Sequence, residues 1–291
     1  MSSQHGTYYL PEPSYWPIVG SIALFSIMLG AANWLHDNSI GPYLFTFGFA
    51  LLIFMICGWL RKVIHESLAG LYDEQMDRSY RWGMVWFIFS EVMFFGAFFG
   101  ALFYIRFYTV PWMGGIGSGE LSHYLLWPDF TATWPLLKNP DPTVFIGPKA
   151  VMETWGIPAI NTLILLSSGA TITWAHWGVL RNQRSHLIIG LLFTILLGVT
   201  FLLLQGNEYA QAYMKDGLTL NSGIYGTTFF MLTGFHGLHV TIGTIMLITI
   251  FFRALKGHFN PEHHFAFEAV SWYWHFVDVV WLGLFIFVYW L

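Results

Sequence analysis

Charged side chains are scarce in this chain: 12 basic and 16 acidic residues among 291, or 10%, where a water-soluble globule carries about a quarter. With 56% hydrophobic residues and a mean hydropathy of +0.57, that scarcity excludes both a disordered chain and an ordinary soluble domain. A basic patch is also lacking. The net charge is −4 and the pI near 6.3, which leaves no electrostatic footprint for nucleic acid. The single cysteine, Cys57, excludes an intrachain disulfide and leaves the redox compartment open. Residues 1–15 are polar and contain proline, and they carry no basic start and lead to no small-residue cleavage site. A removed signal peptide is therefore not expected. No internal repeat, low-complexity tract or heptad pattern is evident, which argues against a transporter built from two related halves.

Long apolar runs take up most of the chain. Seven windows, at 16–35, 41–60, 83–106, 156–176, 187–206, 226–252 and 270–290, are long enough to cross about 30 Å of hydrocarbon as helices. The expected fold is an all-α integral membrane protein with seven transmembrane helices. Lys and Arg near the window ends orient it. With the N-terminus inside, Arg61, Lys62, Arg78, Arg81, Arg181, Arg184, Arg253 and Lys256 lie on the inner side, against Arg106, Lys138, Lys149 and Lys215 outside. The bias predicts N-in and C-out. The organisation expected is an inner-side N-terminal segment at 1–15, a two-helix unit at 16–60, an inner-side connector at 61–82, and a five-helix unit at 83–291. That last unit carries an outer insertion at about 107–155, whose Pro, Gly and Trp content predicts an ordered cap made mostly of loop. Gly96 and Gly100 form a GxxxG pair that would let another backbone approach.

Ionisable groups inside these windows are the candidate functional residues, because lipid cannot solvate them. Glu91, in Phe87-Ile88-Phe89-Ser90-Glu91-Val92-Met93-Phe94-Phe95, has no base beside it in sequence and must bond to another helix or take part in proton movement. His275 and Asp278 are one helical turn apart and can share a face. Counted from the inner window ends, Glu91 lies about 13 Å deep and Asp278 about 12 Å, so one network could hold both acids. His236 and His239 stand at i and i+3, a spacing that can reach one ion. Their depth of about 20–25 Å, against about 7 Å for His275, argues against one three-histidine centre, and they read as packing histidines. The cluster His258, His263, His264 resembles a histidine box superficially. The other inner-side histidines, His65, His176 and His186, are not in spaced pairs, so the converging boxes of a di-iron enzyme are missing and no metal site is expected. At the inner rim Arg61, His65 and Glu66 end the second window, and Arg253 and Lys256 end the sixth. Bases at that depth suit lipid phosphates, although snorkelling side chains have the same pattern.

Several motifs occur together and in order: Ser90-Glu91-Val92-Met93-Phe94-Phe95, Thr173-Trp174-Ala175-His176, Leu203-Leu204-Gln205-Gly206-Asn207-Glu208-Tyr209 and Gly234-Phe235-His236-Gly237-Leu238-His239-Val240. They continue through His263-His264-Phe265-Ala266-Phe267-Glu268-Ala269 and Trp272-Tyr273-Trp274-His275-Phe276-Val277-Asp278-Val279-Val280-Trp281. In these the chain resembles subunit III of the aa3-type haem-copper cytochrome c oxidases over nearly its whole length. The resemblance implies two-helix and five-helix bundles separated by a V-shaped cleft filled with phospholipid. It implies no haem or copper in this chain, those belonging to catalytic subunit I and copper-carrying subunit II. The implied role is a non-catalytic one that supports proton uptake and turnover stability of an enzyme oxidising cytochrome c and reducing oxygen to water. Glu91 matches the family's buried acid, Glu66 a lipid-cleft carboxylate and Arg253 a lipid-facing base. His65 stands where relatives place an arginine, which implies a weaker lipid contact. The outer segment looks longer than in mitochondrial members, which points to a bacterial plasma membrane, with the mitochondrial inner membrane as the second setting. A quinol oxidase subunit, a proton-coupled transporter and a metal-dependent membrane oxidase are the other readings these residues allow.

Overall fold

The computed structural model describes residues 13–291, so most of the expected N-terminal segment at 1–15 lies outside the described residues. Among the described residues all regular structure is helical, and seven helices are long and apolar enough to span a membrane. They are α1 (Trp16–Leu35), α2 (Gly41–Leu68), α3 (Glu74–Tyr104), α4 (Ile157–Leu180), α5 (Arg184–Gln211), α6 (Ile224–Leu255) and α7 (Phe265–Leu284). A lipid environment permits this because each backbone N–H and C=O finds its partner within its own helix. Pro17, Pro42 and Pro158 sit in first turns, where an N–H would have no helical acceptor. The start of α3 is capped by Asp73, whose Oδ1 accepts from the Met76 amide at 2.8 Å.

Several helices outrun the apolar windows that predicted them. The region 61–82, expected as a connector, is mostly helix: α2 continues to Leu68 and α3 begins at Glu74. A hydropathy window closes at the first charges, but backbone hydrogen bonding does not, and charged residues in the end turns reach water from the helix surface. π-helical turns extend three helices further, Ile105–Thr109 after α3, Ala212–Asp216 after α5 and Phe285–Trp290 after α7.

The described residues form two compact units, 13–82 and 83–291. In the first, α1 and α2 make a close hairpin. A Cβ on Gly48 would lie 2.7 Å from the Ile27 backbone nitrogen, so only glycine allows that approach. Trp34 meets Phe45 edge-on at 5.6 Å, and Trp16 meets Phe54 at 5.9 Å.

The second unit has its core around α7, where Trp274, Trp281 and Phe267 are fully buried with Phe201, Leu191 and Leu247. Each indole is tied to α4. Trp274 Nε1 donates to Ser168 Oγ and Trp281 Nε1 to Thr162 Oγ1, both at 2.9 Å. Both hydroxyls spend their own proton on carbonyls of α4, those of Leu165 and Pro158, so each is left as an acceptor for an indole. Helices α4 and α5 touch at Gly190, where a Cβ would fall 2.8 Å from the Ala175 Cβ. By contrast a Cβ on Gly96 or Gly100 meets nothing within 4 Å. The GxxxG pair therefore packs no backbone among the described residues. The outer segment holds a short helix, Glu120–Leu126, and then irregular chain to α4. Asn139 pins it by donating to the carbonyls of Phe145 (3.0 Å) and Ser222 (3.1 Å).

Candidate functional site

Glu91 projects from α3 toward α6, and its Oε2 lies 2.9 Å from His239 Nε2. The hydrogen bonds fix what this pair can be. His239 Nδ1 lies 2.6 Å from the Phe235 carbonyl, which only accepts, so Nδ1 carries a hydrogen. In a neutral imidazole Nε2 is then an acceptor, and it faces a carboxyl oxygen. One proton must lie between them, on Glu91 as an acid or on the ring as imidazolium facing carboxylate. Either way the pair has no net charge. Phe94 and Phe95 approach the ring at 5.9 and 5.0 Å, and Tyr273 stacks on it at 6.3 Å, which screens the pair with aromatic surface.

The expected depth of Glu91 needs correction. Counted from the true start of α3 at Glu74, it lies about 26 Å along its helix, level with His239, about 24 Å from the inner end of α6. The apolar window had hidden nine residues of helix. Nor do the two acids share a network. Asp278 packs on α4, where a Cβ on Gly169 would fall 2.8 Å from its Oδ2, while Glu91 is engaged by α6. His275 Nδ1 is 3.9 Å from Asp278 Oδ2, and its Nε2 is 3.4 Å from Thr173 Oγ1. His236 turns away from His239: its Nε2 donates to the Val277 carbonyl at 3.2 Å between the rings of Phe201 and Trp281. The two histidines thus tie α6 to two different helices.

At the inner rim of the first unit, Arg61 and His65 are exposed near the end of α2. Glu66 accepts from the Tyr72 hydroxyl at 2.9 Å and lies 3.9 Å from Lys62 Nζ. Burial, with Tyr80 and Glu66 nearby, raises the Tyr72 phenol well above its usual range, which keeps it a donor to Glu66. In the second unit the Arg253 guanidinium lies over Phe259, 4.9 Å from the ring centre, with no ion pair among the described residues. Burial and the charges of Arg253 and Lys256 hold His258 below the usual imidazole range, as a locally positive helix end should.

Two groupings escaped the sequence. His176 does not stand alone: with His264 and Glu268 it forms a set whose ligating atoms all lie within 4.8 Å of one another. His176 and His264 reach Glu268 Oε1 at 3.6 and 3.3 Å, close to the edge of a zinc tetrahedron, about 3.4 Å for bonds near 2.1 Å. Two imidazole nitrogens and one carboxylate oxygen are a donor set suited to such an ion. The i, i+4 spacing of His264 and Glu268 was the available signal. Glu208, 2% exposed, is buried beside Tyr289, because α5 runs past the window that ended at 206.

The whole-chain comparisons bear on these residues together. The cytochrome c oxidase subunit III family model matches residues 5–117 and 134–291. The chain belongs to the cytochrome c oxidase subunit III family. Curated proteins named cytochrome c oxidase subunit 3 from Neotragus moschatus and Nanger dama are each 41% identical over 291 residues, covering 100% of this chain and 99% of the relative. The protein of that name from Syncerus caffer is 40% identical over the same span. Membership makes the chain a multi-pass membrane subunit of an oxidoreductase complex, with other oxidase subunits as its partners. The family match breaks at 118–133, inside the outer segment. These relatives are mammalian, which gives no support to the bacterial setting expected from the sequence.

Proposed function

We propose that this subunit is non-catalytic and lipid-binding, holding phospholipid at its inner rim and sustaining turnover and proton uptake in the oxidase's catalytic subunit I. Haem and copper belong to subunits I and II in this reading, cytochrome c is the donor and oxygen is reduced to water. The observation that carries it is Arg253. Its guanidinium is half-buried on Phe259 with Lys256 near and no carboxylate paired to it among the described residues. A cation so placed at a membrane interface suits a phosphodiester, which guanidinium can grip through two parallel hydrogen bonds. Arg61 and His65 of α2 offer a second basic surface at their own helix end, next to Glu66, whose charge is partly answered by Lys62 and Tyr72. The pair of Glu91 and His239 has a scaffolding part, joining α3 to α6 without net charge.

The test is Arg253→Ala in the purified oxidase. Phospholipid retained per complex, counted by mass spectrometry, should fall by about one molecule per lost site, and the enzyme should lose activity after fewer turnovers. Unchanged lipid content would remove Arg253 from this role.

A further inference from the structure

Between α4 and α7 lies an open groove of about 540 Å³, lined by Leu166, Gly169, Ala170, Thr173, His275 and Asp278, with Val279 and Trp177 also bordering it. Most of its wall is apolar, as a lipid-facing surface should be. Its floor is not. The side chain of His275 is 44% exposed there and lies beside Asp278, midway along the spanning length of α7. Asp278 is 13 residues from the start of α7 and 12 from the end of its terminal π-turn, about 20 Å from each. Lipid head groups begin about 15 Å from the bilayer centre, so none can reach this depth.

The hydrogen-bond pattern of the floor is incomplete. Thr173 gives its one proton to the Gly169 carbonyl at 2.8 Å, so toward His275 it can only accept, and His275 Nε2 must be the donor across their 3.4 Å contact. That assigns the tautomer: Nδ1 is an unprotonated acceptor. It faces Asp278 Oδ2 at 3.9 Å, beyond hydrogen-bond distance, and Asp278 Oδ1 is buried with no partner. The floor thus holds a ring nitrogen and a carboxyl oxygen that no protein group answers with a hydrogen-bonding partner. A hydrocarbon chain cannot supply one, and an unmet polar group in hydrocarbon costs several kcal/mol. Ala170, small and exposed on the α4 wall, leaves room for another helix backbone to come close.

We infer that this groove is the docking face for a transmembrane helix of a companion oxidase subunit, one carrying a hydroxyl or amide side chain that donates to the exposed His275 ring beside the Asp278 carboxyl. The inference rests on the subunit reading above and adds to it a face and the chemistry of the contact. A photo-crosslinking residue replacing Val279, which is 66% exposed beside the groove, tests it in the assembled oxidase. The same probe at Leu203 of α5, 70% exposed, is the control. The expected result is a crosslink from position 279 to a companion polypeptide, stronger by severalfold than from 203. His275→Phe should cut retention of the chain in the detergent-solubilised oxidase severalfold while leaving the helicity of the separated chain unchanged. Crosslinks from 279 to lipid alone, to this chain alone or to nothing, in a complex that still retains the chain, would overturn the docking face. A chain that never co-purifies with haem-bearing subunits would instead sink the subunit reading.

Discussion

Removing the carboxyl of Glu91 should separate a hydrogen bond's worth from that of the side chain around it. In Glu91→Gln the amide can donate to His239 Nε2, the acceptor left by the bond from Nδ1 to the Phe235 carbonyl. One helix-to-helix hydrogen bond is exchanged for another, so the cost should stay below about 1 kcal/mol, given that such bonds in membranes average about 0.6. In Glu91→Ala the acceptor keeps its position among Phe94, Phe95 and Tyr273 and has no donor. Leaving a buried group unmet costs about 1–3 kcal/mol, and lost packing adds to it. The alanine variant should therefore be less stable than the glutamine variant by about 2 kcal/mol. Thermal unfolding of the purified chain in detergent measures this, with His239→Phe as the second arm of a double-mutant cycle. With the ring gone, Glu91→Ala should cost appreciably less than it does in the parent. Equal losses in the glutamine and alanine variants, or a cycle with no coupling, would refute the assignment of this bond.

Gly169→Ala should destabilise the chain, because its Cβ would sit 2.8 Å from Asp278 Oδ2, and overpacking costs about 1–3 kcal/mol against about 1 gained in helix propensity. Asp278→Ala should remove the penalty, and a penalty that persists would place the clash elsewhere. Ser168→Ala should strand the Trp274 indole N–H, whose acceptor at 2.9 Å is lost, at about 1–3 kcal/mol. With Trp274→Phe already in place, Ser168→Ala should cost appreciably less than it does in the parent; an unchanged cost would mean the bond was not what the serine contributed.

The seven spans were legible because a hydrocarbon core demands long apolar helices and little else mimics them. Their ends were not, since α3 starts at Glu74 and α5 passes 206 through polar residues that no apolar window includes. Those hidden turns decided the site. They put Glu91 level with His239 and took Glu208 into the core. Spacing along one helix did place His275 near Asp278, a local relation. The meeting of His176 with His264 and Glu268 joins residues 88 or more positions apart, and no periodicity within either segment encodes it. Gly96 and Gly100 show the converse: a motif for close packing does not say which surface, if any, will occupy it.

The shared proton between α3 and α6 has an electrical consequence. Transmembrane voltage does about 2.3 kcal/mol of work per 100 mV on a unit charge that crosses the whole membrane. Passing between two atoms 2.9 Å apart, a proton shifts by only about 1 Å of roughly 30, so even a path along the membrane normal changes its energy by less than about 0.1 kcal/mol per 100 mV. An energised membrane thus leaves this linkage undisturbed, and the fold holds its shape while the field around it rises and falls.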